Sequence, residues 1–220
     1  MLLNSTFNGF PREMPEFLSI LHFENTLTKQ AENLQQYKKL VTEPLINLYE
    51  ALLPTVMNIS TEFETKPSRC ISSPYTDRRF SYKPIKEYMY IRFKQSGKQE
   101  DIVGLYFDMG ADYYSYGLRI YNQTSRGMKR LHEKMAENPA PYLCQLKKIT
   151  ASGFSVFGEK YKKDHYSSLP DTLVKEILNR KRFYIGRAVP IGENAFTSKL
   201  ADEITDGFLE VKNFLNLLEE

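Results

Sequence analysis

Between residues 88 and 121 the sequence alternates apolar and polar side chains through three successive segments. Alternation with a period of two is typical of a β-strand that buries one face. Glycine-containing turns at residues 96–98 and 110–112 separate the segments, and turns this short join strands only in antiparallel pairing. The sequence therefore predicts an antiparallel meander. Its apolar face is expected to hold Met89, Ile91, Phe93, Val103, Leu105, Phe107, Met109, Tyr114, Tyr116, Leu118 and Ile120.

The segment that precedes the meander shows helical periodicity instead. Over residues 27–56, apolar side chains recur at spacings of three and four, which is one face of an α-helix. Asn25 or Thr26 is expected to cap this helix. Because proline has no N–H, Pro44 is expected to kink or split the helix near Glu43, and Pro54 is expected to end it.

Four helices are expected after the meander, beginning near residues 124, 139, 170 and 197. The last of them has an acidic outer face that includes Glu203, and this face is expected to be solvated. Short strand-like stretches precede the third and the fourth of these helices.

These patterns predict one α+β domain over residues 1–220, in which an antiparallel sheet meander packs against several helices. We expect N-terminal helices over residues 15–58, a sheet core over 67–121 and a helix-rich C-terminal half over 124–220. The sequence contains no linker long enough to divide the chain into separate domains.

Several classes of function lack their sequence signatures. No apolar run approaches the roughly eighteen residues that a membrane helix needs, and residues 1–5 do not read as the start of a secretory signal. Cys70 and Cys144 lack CxxC spacing, so reduced thiols and a cytoplasmic location are expected. The three histidines show no metal-ligand spacing, and no phosphate loop, dinucleotide fingerprint or nucleophile elbow is present. We therefore expect no metal, no cofactor and no membrane contact, while the oligomeric state stays open.

Positive charge is concentrated in residues 69–98, which hold eight Lys and Arg against two acidic residues. This local excess of +6 exceeds the +3 of the whole chain. Arginine forks bind phosphate or carboxylate, and aromatic rings stack on bases or sugars. In this basic loop the candidate ligand-binding residues are Arg69, Asp77, Arg78, Arg79, Lys83 and Lys86, with Tyr75, Phe80 and Tyr82 as stacking candidates. The alternative is a structural loop whose Arg–Asp pairs hold it to the sheet.

The polar face of the predicted meander adds Asp108, Tyr113 and Arg119 as candidates. A Tyr–Asp–Arg cluster suits a polar ligand, but it equally suits a cross-strand ladder. Gly117 in mid-strand predicts a bulge or a close backbone approach. The same face is expected to present Tyr88, Tyr90, Arg92, Tyr106 and Tyr121.

A set of residues spread over nearly the whole chain follows a recognisable order: Phe7, Gly9, Phe10, Phe17, Leu18, Leu21, Asn25, Tyr37, Pro44, Leu45, Arg69, Asp77, Arg79, Phe80, Pro84, Lys86, Tyr113, Gly117, Arg119, Asn138, Pro139, Phe154, Gly158, Glu159, Tyr161, Lys162 and Lys181. This order resembles the domain-of-unknown-function family 2461, a widespread bacterial family. The chain departs from the family pattern at Glu24, at Thr76, where the family has arginine, and at Ile85, where it has tyrosine. The resemblance implies an antiparallel sheet packed on helices, and it implies no established activity.

Three functional hypotheses follow. The first is a binding module that holds an anionic small molecule or a nucleic acid on its basic–aromatic sheet face. The second is an enzyme with Asp77 or Asp108 as general base and Arg79 orienting an anionic substrate, which requires one carboxylate in a pocket with a raised pKa. The third is a protein-interaction module that uses the acidic C-terminal helix. No catalytic residue is identified beyond these candidates.

Overall fold

Five strands form one antiparallel sheet in the computed structural model, which describes residues 6–77, 79 and 81–219. The strands are β1 (Met89–Lys94), β2 (Ile102–Met109), β3 (Tyr113–Tyr121), β4 (Ser155–Phe157) and β5 (Tyr184–Pro190). Their order in the sheet is β1-β2-β3-β5-β4. The first three strands pair in sequence order, so the predicted meander is confirmed. β5 extends the sheet beside β3, and β4 forms the edge.

Helices both precede and follow the meander in the chain. The prediction of a single α+β domain is confirmed. They are α1 (Met14–Glu24), α2 (Gln30–Tyr37), α3 (Glu43–Ile59), α4 (Pro67–Cys70), α5 (Ser125–Glu137), α6 (Pro139–Ala151), α7 (Leu173–Leu178) and α8 (Lys199–Glu219).

The N-terminal helices show which local signals decide helix boundaries. A π-helical turn, Lys38–Thr42, lies between α2 and α3, and Pro44 stands in the first turn of α3, so the predicted split is confirmed. The predicted end at Pro54 is wrong, because α3 continues to Ile59. Leu52 and Val56 on either side of Pro54 are fully buried, and we attribute the continuation to their packing, which outweighs one missing backbone hydrogen bond.

Two predicted helix starts are corrected. Asn25 does not cap α2, which begins at Gln30; its side chain instead forms buried hydrogen bonds with the backbone of Ile85. α7 begins at Leu173 rather than at Pro170, and the Thr172 hydroxyl caps it by accepting a hydrogen bond from the backbone N–H of Lys175.

The apolar face of the sheet packs against α3 and α8. Tyr49 of α3 and Phe208 of α8 both contact Phe93 of β1, with ring centroids 5.5 and 6.4 Å away. Tyr114 and Tyr116 of β3 are buried on this face, as predicted. These aromatic contacts fix one side of the sheet to the helices, so a ligand has access only to the other side.

The expectation that Glu203 lies on a solvated face is wrong. Its carboxylate accepts hydrogen bonds from the hydroxyls of Tyr114 and Tyr116, at 2.9 and 3.2 Å. The two tyrosines point toward α8 because strand alternation places both on the apolar face, and their hydroxyls need an acceptor there. Glu203 therefore joins α8 to β3.

Among the residues that the structure describes, none of the helices has both the length and the apolar character that crossing a membrane requires.

Candidate functional site

The face of the sheet opposite α3 and α8 carries a continuous set of polar and aromatic side chains, here called the polar face. Strand alternation brings these positions together, since residues paired across neighbouring strands point to the same side. The residues of the polar face are Tyr90, Arg92 and Lys94 of β1, Gly104, Tyr106 and Asp108 of β2, Ser115, Gly117, Arg119 and Tyr121 of β3, and Tyr184 and Gly186 of β5.

Glycines in the floor of the polar face make room for tyrosine side chains. A Cβ on Gly186 would lie 2.1 Å from the hydroxyl oxygen of Tyr106, and one on Gly104 would lie 3.0 Å from Cε2 of Tyr121. Gly117 has φ +152°, and a Cβ there would lie 2.2 Å from the carbonyl oxygen of Ile185, so the predicted close backbone approach is confirmed.

Each arginine of the polar face stacks on tyrosine rings. The guanidinium carbon of Arg92 lies 3.7 Å from the ring centroid of Tyr90. That of Arg119 lies 4.6 Å from the centroids of both Tyr106 and Tyr184. Stacking uses the flat face of the guanidinium and leaves its in-plane N–H groups available for hydrogen bonds.

Two lysines extend this pattern at the β1 edge. Lys94 Nζ lies 5.5 Å from the ring centroid of Tyr121, and Lys86 Nζ lies 5.2 Å from that of Tyr90. Burial and the nearby Arg92 charge lower the pKa of Lys86. Lys86 therefore links the basic loop to the polar face through Tyr90.

Asp108 is the carboxylate of this arrangement. Its Oδ2 lies 3.6 Å from Nη1 of Arg119, and the two side chains are only 27% and 26% exposed. Burial raises the pKa of Asp108, although the charges of Arg119 and Arg92 act in the opposite direction. The remaining exposure means that the polar face is partly open to solvent.

Three buried polar atoms of the polar face have no hydrogen-bond partner: Arg92 Nε, Asp108 Oδ1 and the Tyr121 hydroxyl. Burial raises the pKa of Tyr121, so this hydroxyl keeps its proton at neutral pH. By contrast, the Tyr106 hydroxyl lies 2.9 Å from Ser115 Oγ and is satisfied. Buried polar groups are almost always paired, and three of the five unpaired buried side-chain atoms among the described residues lie on this face.

The basic loop forms a groove next to β1, with a volume of about 610 Å³. Backbone hydrogen bonds from Thr76 to Pro84 and from Lys86 to Pro74 close the loop. The groove is lined by Tyr75, Thr76, Asp77, Ser81, Lys83, Ile85, Lys86, Glu87, Tyr88 and Tyr90. Since Tyr90 also belongs to the polar face, the groove and the face are continuous.

Most charges predicted in the basic loop are engaged within it. Asp77 is exposed and accepts hydrogen bonds from the Arg79 guanidinium, which lowers the pKa of Asp77. Lys83 pairs with Glu87 and donates to the carbonyl oxygen of His22. These contacts resemble the structural alternative more than an open anion site.

The other residues that the sequence predicted as ligand-binding do not all lie at one place. Arg69 is exposed on α4 and pairs with Glu64 at 2.6 Å, and it does not line the groove. Tyr113 lies on the same side of β3 as Ser115 and Arg119, as predicted, but at the start of the strand, where it is 58% exposed. Arg78, like the stacking candidate Phe80, lies outside the described residues. The structure thus brings together Lys86, Asp108 and Arg119 from the predicted set.

The sequence pattern placed Arg92, Tyr106 and Tyr121 on the polar face but gave no reason to prefer them as site residues. The sequence signal for these three residues was the same alternation of apolar and polar positions that placed Asp108 on this face. Tyr184 was missed, because nothing local in the sequence indicates that β5 pairs with β3.

Comparison with known proteins identifies the family of the chain. A search of curated proteins finds no match to the chain. The family of conserved hypothetical proteins called DUF2461 matches residues 13–216, which include the basic loop and every strand of the sheet. The chain therefore belongs to the DUF2461 family.

Proposed function

We propose that the polar face binds an anionic small molecule that carries a phosphate or carboxylate group. The observation that carries this proposal is a charge imbalance. The described residues of this face include three cations, Arg92, Lys94 and Arg119, and one carboxylate, Asp108.

The geometry supports tight binding at low entropic cost. Arg92 and Arg119 are already held against tyrosine rings, so little side-chain freedom remains to be lost when a ligand binds. Their partial burial also strengthens the attraction, since charges interact more strongly where water is partly excluded. The proposal places this binding in the cytoplasm, where the free thiols of Cys70 and Cys144 stay reduced.

A thermal-shift panel of inorganic phosphate, nucleotides, sugar phosphates and carboxylates tests the proposal. A ligand at a hundred times its Kd stabilises a protein by about 2.7 kcal/mol, a rise of roughly 5–10 °C for a chain of this size. Calorimetric titration of the best ligand then compares wild type with Arg92→Ala and Arg119→Ala.

Each arginine variant is expected to weaken binding by about ten- to a hundredfold, because a charge-assisted hydrogen bond contributes about 1.5–3 kcal/mol. Arg126→Ala is the matched control, since Arg126 is exposed on α5 and belongs neither to the polar face nor to the groove. A flat panel, or arginine variants that bind as tightly as the control, would contradict the proposal.

A second candidate function, catalysis with Asp108 as general base, is favoured by the raised pKa of this half-buried carboxylate. Asp77 is not favoured, because it is exposed and paired with Arg79. Mass spectrometry of the panel compounds after incubation would detect turnover. Catalysis predicts a product that disappears in Asp108→Asn and persists in Asp77→Asn; absence of any product from every panel member bound by wild type counts against it.

A further inference from the structure

We propose that the ligand of the polar face is a zwitterion, whose anionic group lies against Arg92 and Arg119 while an adjacent ammonium group binds Asp108. This inference rests on the proposed function and adds to it the chemical class of the ligand. It is carried by the position of Asp108 and by the polarity of the unpaired atoms.

The first step is the place of Asp108 in the sheet. Asp108 lies on β2, the strand between β1, which carries Arg92, and β3, which carries Arg119. Its carboxylate is near enough to both arginines for their charges to act on its pKa. A site built for a simple anion would gain nothing from a carboxylate beside its arginines, because that carboxylate repels the ligand. An ammonium group next to the anionic group turns this repulsion into an attraction.

The second step is the unsatisfied state of the carboxylate. Asp108 Oδ1 is buried and has no hydrogen-bond partner, and Oδ2 approaches Arg119 only to 3.6 Å. Two neighbouring rings, those of Tyr106 and Tyr184, hold Arg119. The carboxylate therefore has an oxygen free for a donor that the protein does not supply.

The third step is the polarity of the neighbouring unpaired atoms. Arg92 Nε can only donate a hydrogen bond, whereas the ionised Asp108 Oδ1 can only accept one, and the Tyr121 hydroxyl can do either. A purely anionic ligand satisfies the donor and leaves the acceptor unpaired. A ligand with an acidic group and an amino group close together satisfies both.

Matched pairs of probes that differ in the amino group test the inference. Phosphoethanolamine is compared with ethyl phosphate, and alanine with propionate, by calorimetric titration of wild type, Asp108→Asn and Asp77→Asn. Asn keeps the shape of the Asp108 side chain and removes its charge, and Asp77→Asn makes the same change at an exposed position of the basic loop.

In wild type the amine-bearing member of at least one pair is expected to bind at least tenfold more tightly than its partner. In Asp108→Asn this preference falls to twofold or less, while ethyl phosphate or propionate binds as tightly as before or more tightly. Asp77→Asn retains the wild-type preference. A melting curve of each variant establishes that it is folded at the temperature of the titration.

The outcomes separate this inference from the proposed function. If both members of a pair bind equally to wild type, the site takes anions but the zwitterion inference is wrong. If a preference exists and persists in Asp108→Asn, Asp108 is not the ammonium partner and the inference is again wrong. If no anion of either kind binds, the proposed function fails and the inference fails with it.

Discussion

Asp108 is a residue whose charge weakens the fold in the absence of a ligand. Its carboxylate is partly buried, has one unpaired oxygen and lies beyond hydrogen-bond distance of Arg119. The raised pKa of Asp108 means that the folded protein holds a proton on this group more readily than the unfolded chain does. Such a group is unfavourable for stability at neutral pH.

Asp108→Asn is therefore expected to raise the melting temperature at pH 7. Between the unfolded and the folded pKa of Asp108 the folded state binds more protons, so stability decreases as pH rises through that interval and stays lower above it. The variant avoids this loss. We expect its free energy of unfolding at pH 7 to exceed that of wild type by on the order of 1 kcal/mol, which raises the melting temperature by about 2–4 °C. Below the ordinary aspartate pKa of 3.8 the gain disappears, because the wild-type group is protonated in both states.

Melting curves of both proteins from pH 3 upward measure this difference. Asp77→Asn serves as the control, since its pKa is lowered by the Arg79 hydrogen bonds and no gain at neutral pH is expected. A lower melting temperature for Asp108→Asn at pH 7 would mean that attraction to Arg119 outweighs the cost of burial.

The contact between Gly186 and Tyr106 gives a second test at single residues. Gly186→Ala places a methyl group 2.1 Å from the Tyr106 hydroxyl but 3.4 Å from the ring carbon Cζ. The substitution is expected to cost about 1–3 kcal/mol, as overpacking does. Tyr106→Phe removes the clashing oxygen, so the double variant is expected to be more stable than the sum of the two single effects predicts.

Denaturant unfolding of the four proteins in this cycle gives the coupling energy. Gly117→Ala is the comparison, because its new methyl group would meet the backbone carbonyl of Ile185 at 2.2 Å, and no side-chain truncation at Tyr106 relieves that contact. Strictly additive effects of Gly186→Ala and Tyr106→Phe would show that Tyr106 does not lie over Gly186 in solution.

Among the elements, α8 and β3 are joined by a polar contact inside an otherwise apolar layer. The Glu203 carboxylate accepts from Tyr114, Tyr116 and the side-chain amide of Asn194. Burial and the neighbouring Glu203 raise the pKa of both tyrosines, so their hydroxyls remain donors. The contact sets the position of α8 along the strand, which apolar packing alone specifies only loosely.

Glu203→Ala is expected to destabilise the protein by about 2–3 kcal/mol, because it leaves two tyrosine hydroxyls without an acceptor. Glu210→Ala, at an exposed position of the same helix, is expected to change stability by less than about 0.5 kcal/mol. Urea unfolding of the two variants measures the difference. Equal effects would assign Glu203 to the solvated acidic face that the sequence suggested.

The sequence pattern correctly predicted those helices and strands whose formation depends on residues close together in the chain. Alternation determined the three meander strands, and the helix start predicted near residue 124 agrees with α5, which the Thr124 side chain caps. Pro54 was misjudged, because the burial of Leu52 and Val56 depends on distant parts of the chain. The pairing of β5 with β3 was not predicted for the same reason, so Tyr184 was not predicted as a residue of the candidate site.

The site was predictable to the extent that one strand face defines it. Asp108 and Arg119 were found because alternation puts them on the same side of the meander. The loop charges were overvalued, since a sequence shows that Asp77 and Arg79 are close in the chain but not that they pair with each other. The unpaired atoms of Arg92 and Tyr121 are a property of three-dimensional packing that no sequence pattern carries.

At the scale of the whole molecule, the small net charge of +3 conceals an uneven distribution. On the polar face, cations outnumber carboxylates three to one among the described residues, and they lie across a few strands rather than along an extended stripe. Such a compact arrangement suits a small ligand, whereas a nucleic acid needs cations that follow its backbone.

Salt dependence distinguishes these two kinds of ligand. A single strand that engaged Lys86, Arg92, Lys94 and Arg119 with four phosphates would give a slope of about −3 in a plot of log affinity against log salt, from about 0.7 per phosphate. A small ligand with one anionic group is expected to give a slope of about −1 or shallower, because partly buried charges are screened less. Titrating the best small ligand and a short single-stranded oligonucleotide at several NaCl concentrations, with Arg126→Ala as control, measures both slopes. We expect tighter binding and the shallow slope for the small ligand; a tightly bound oligonucleotide with the steep slope would instead make the polar face a nucleic-acid surface.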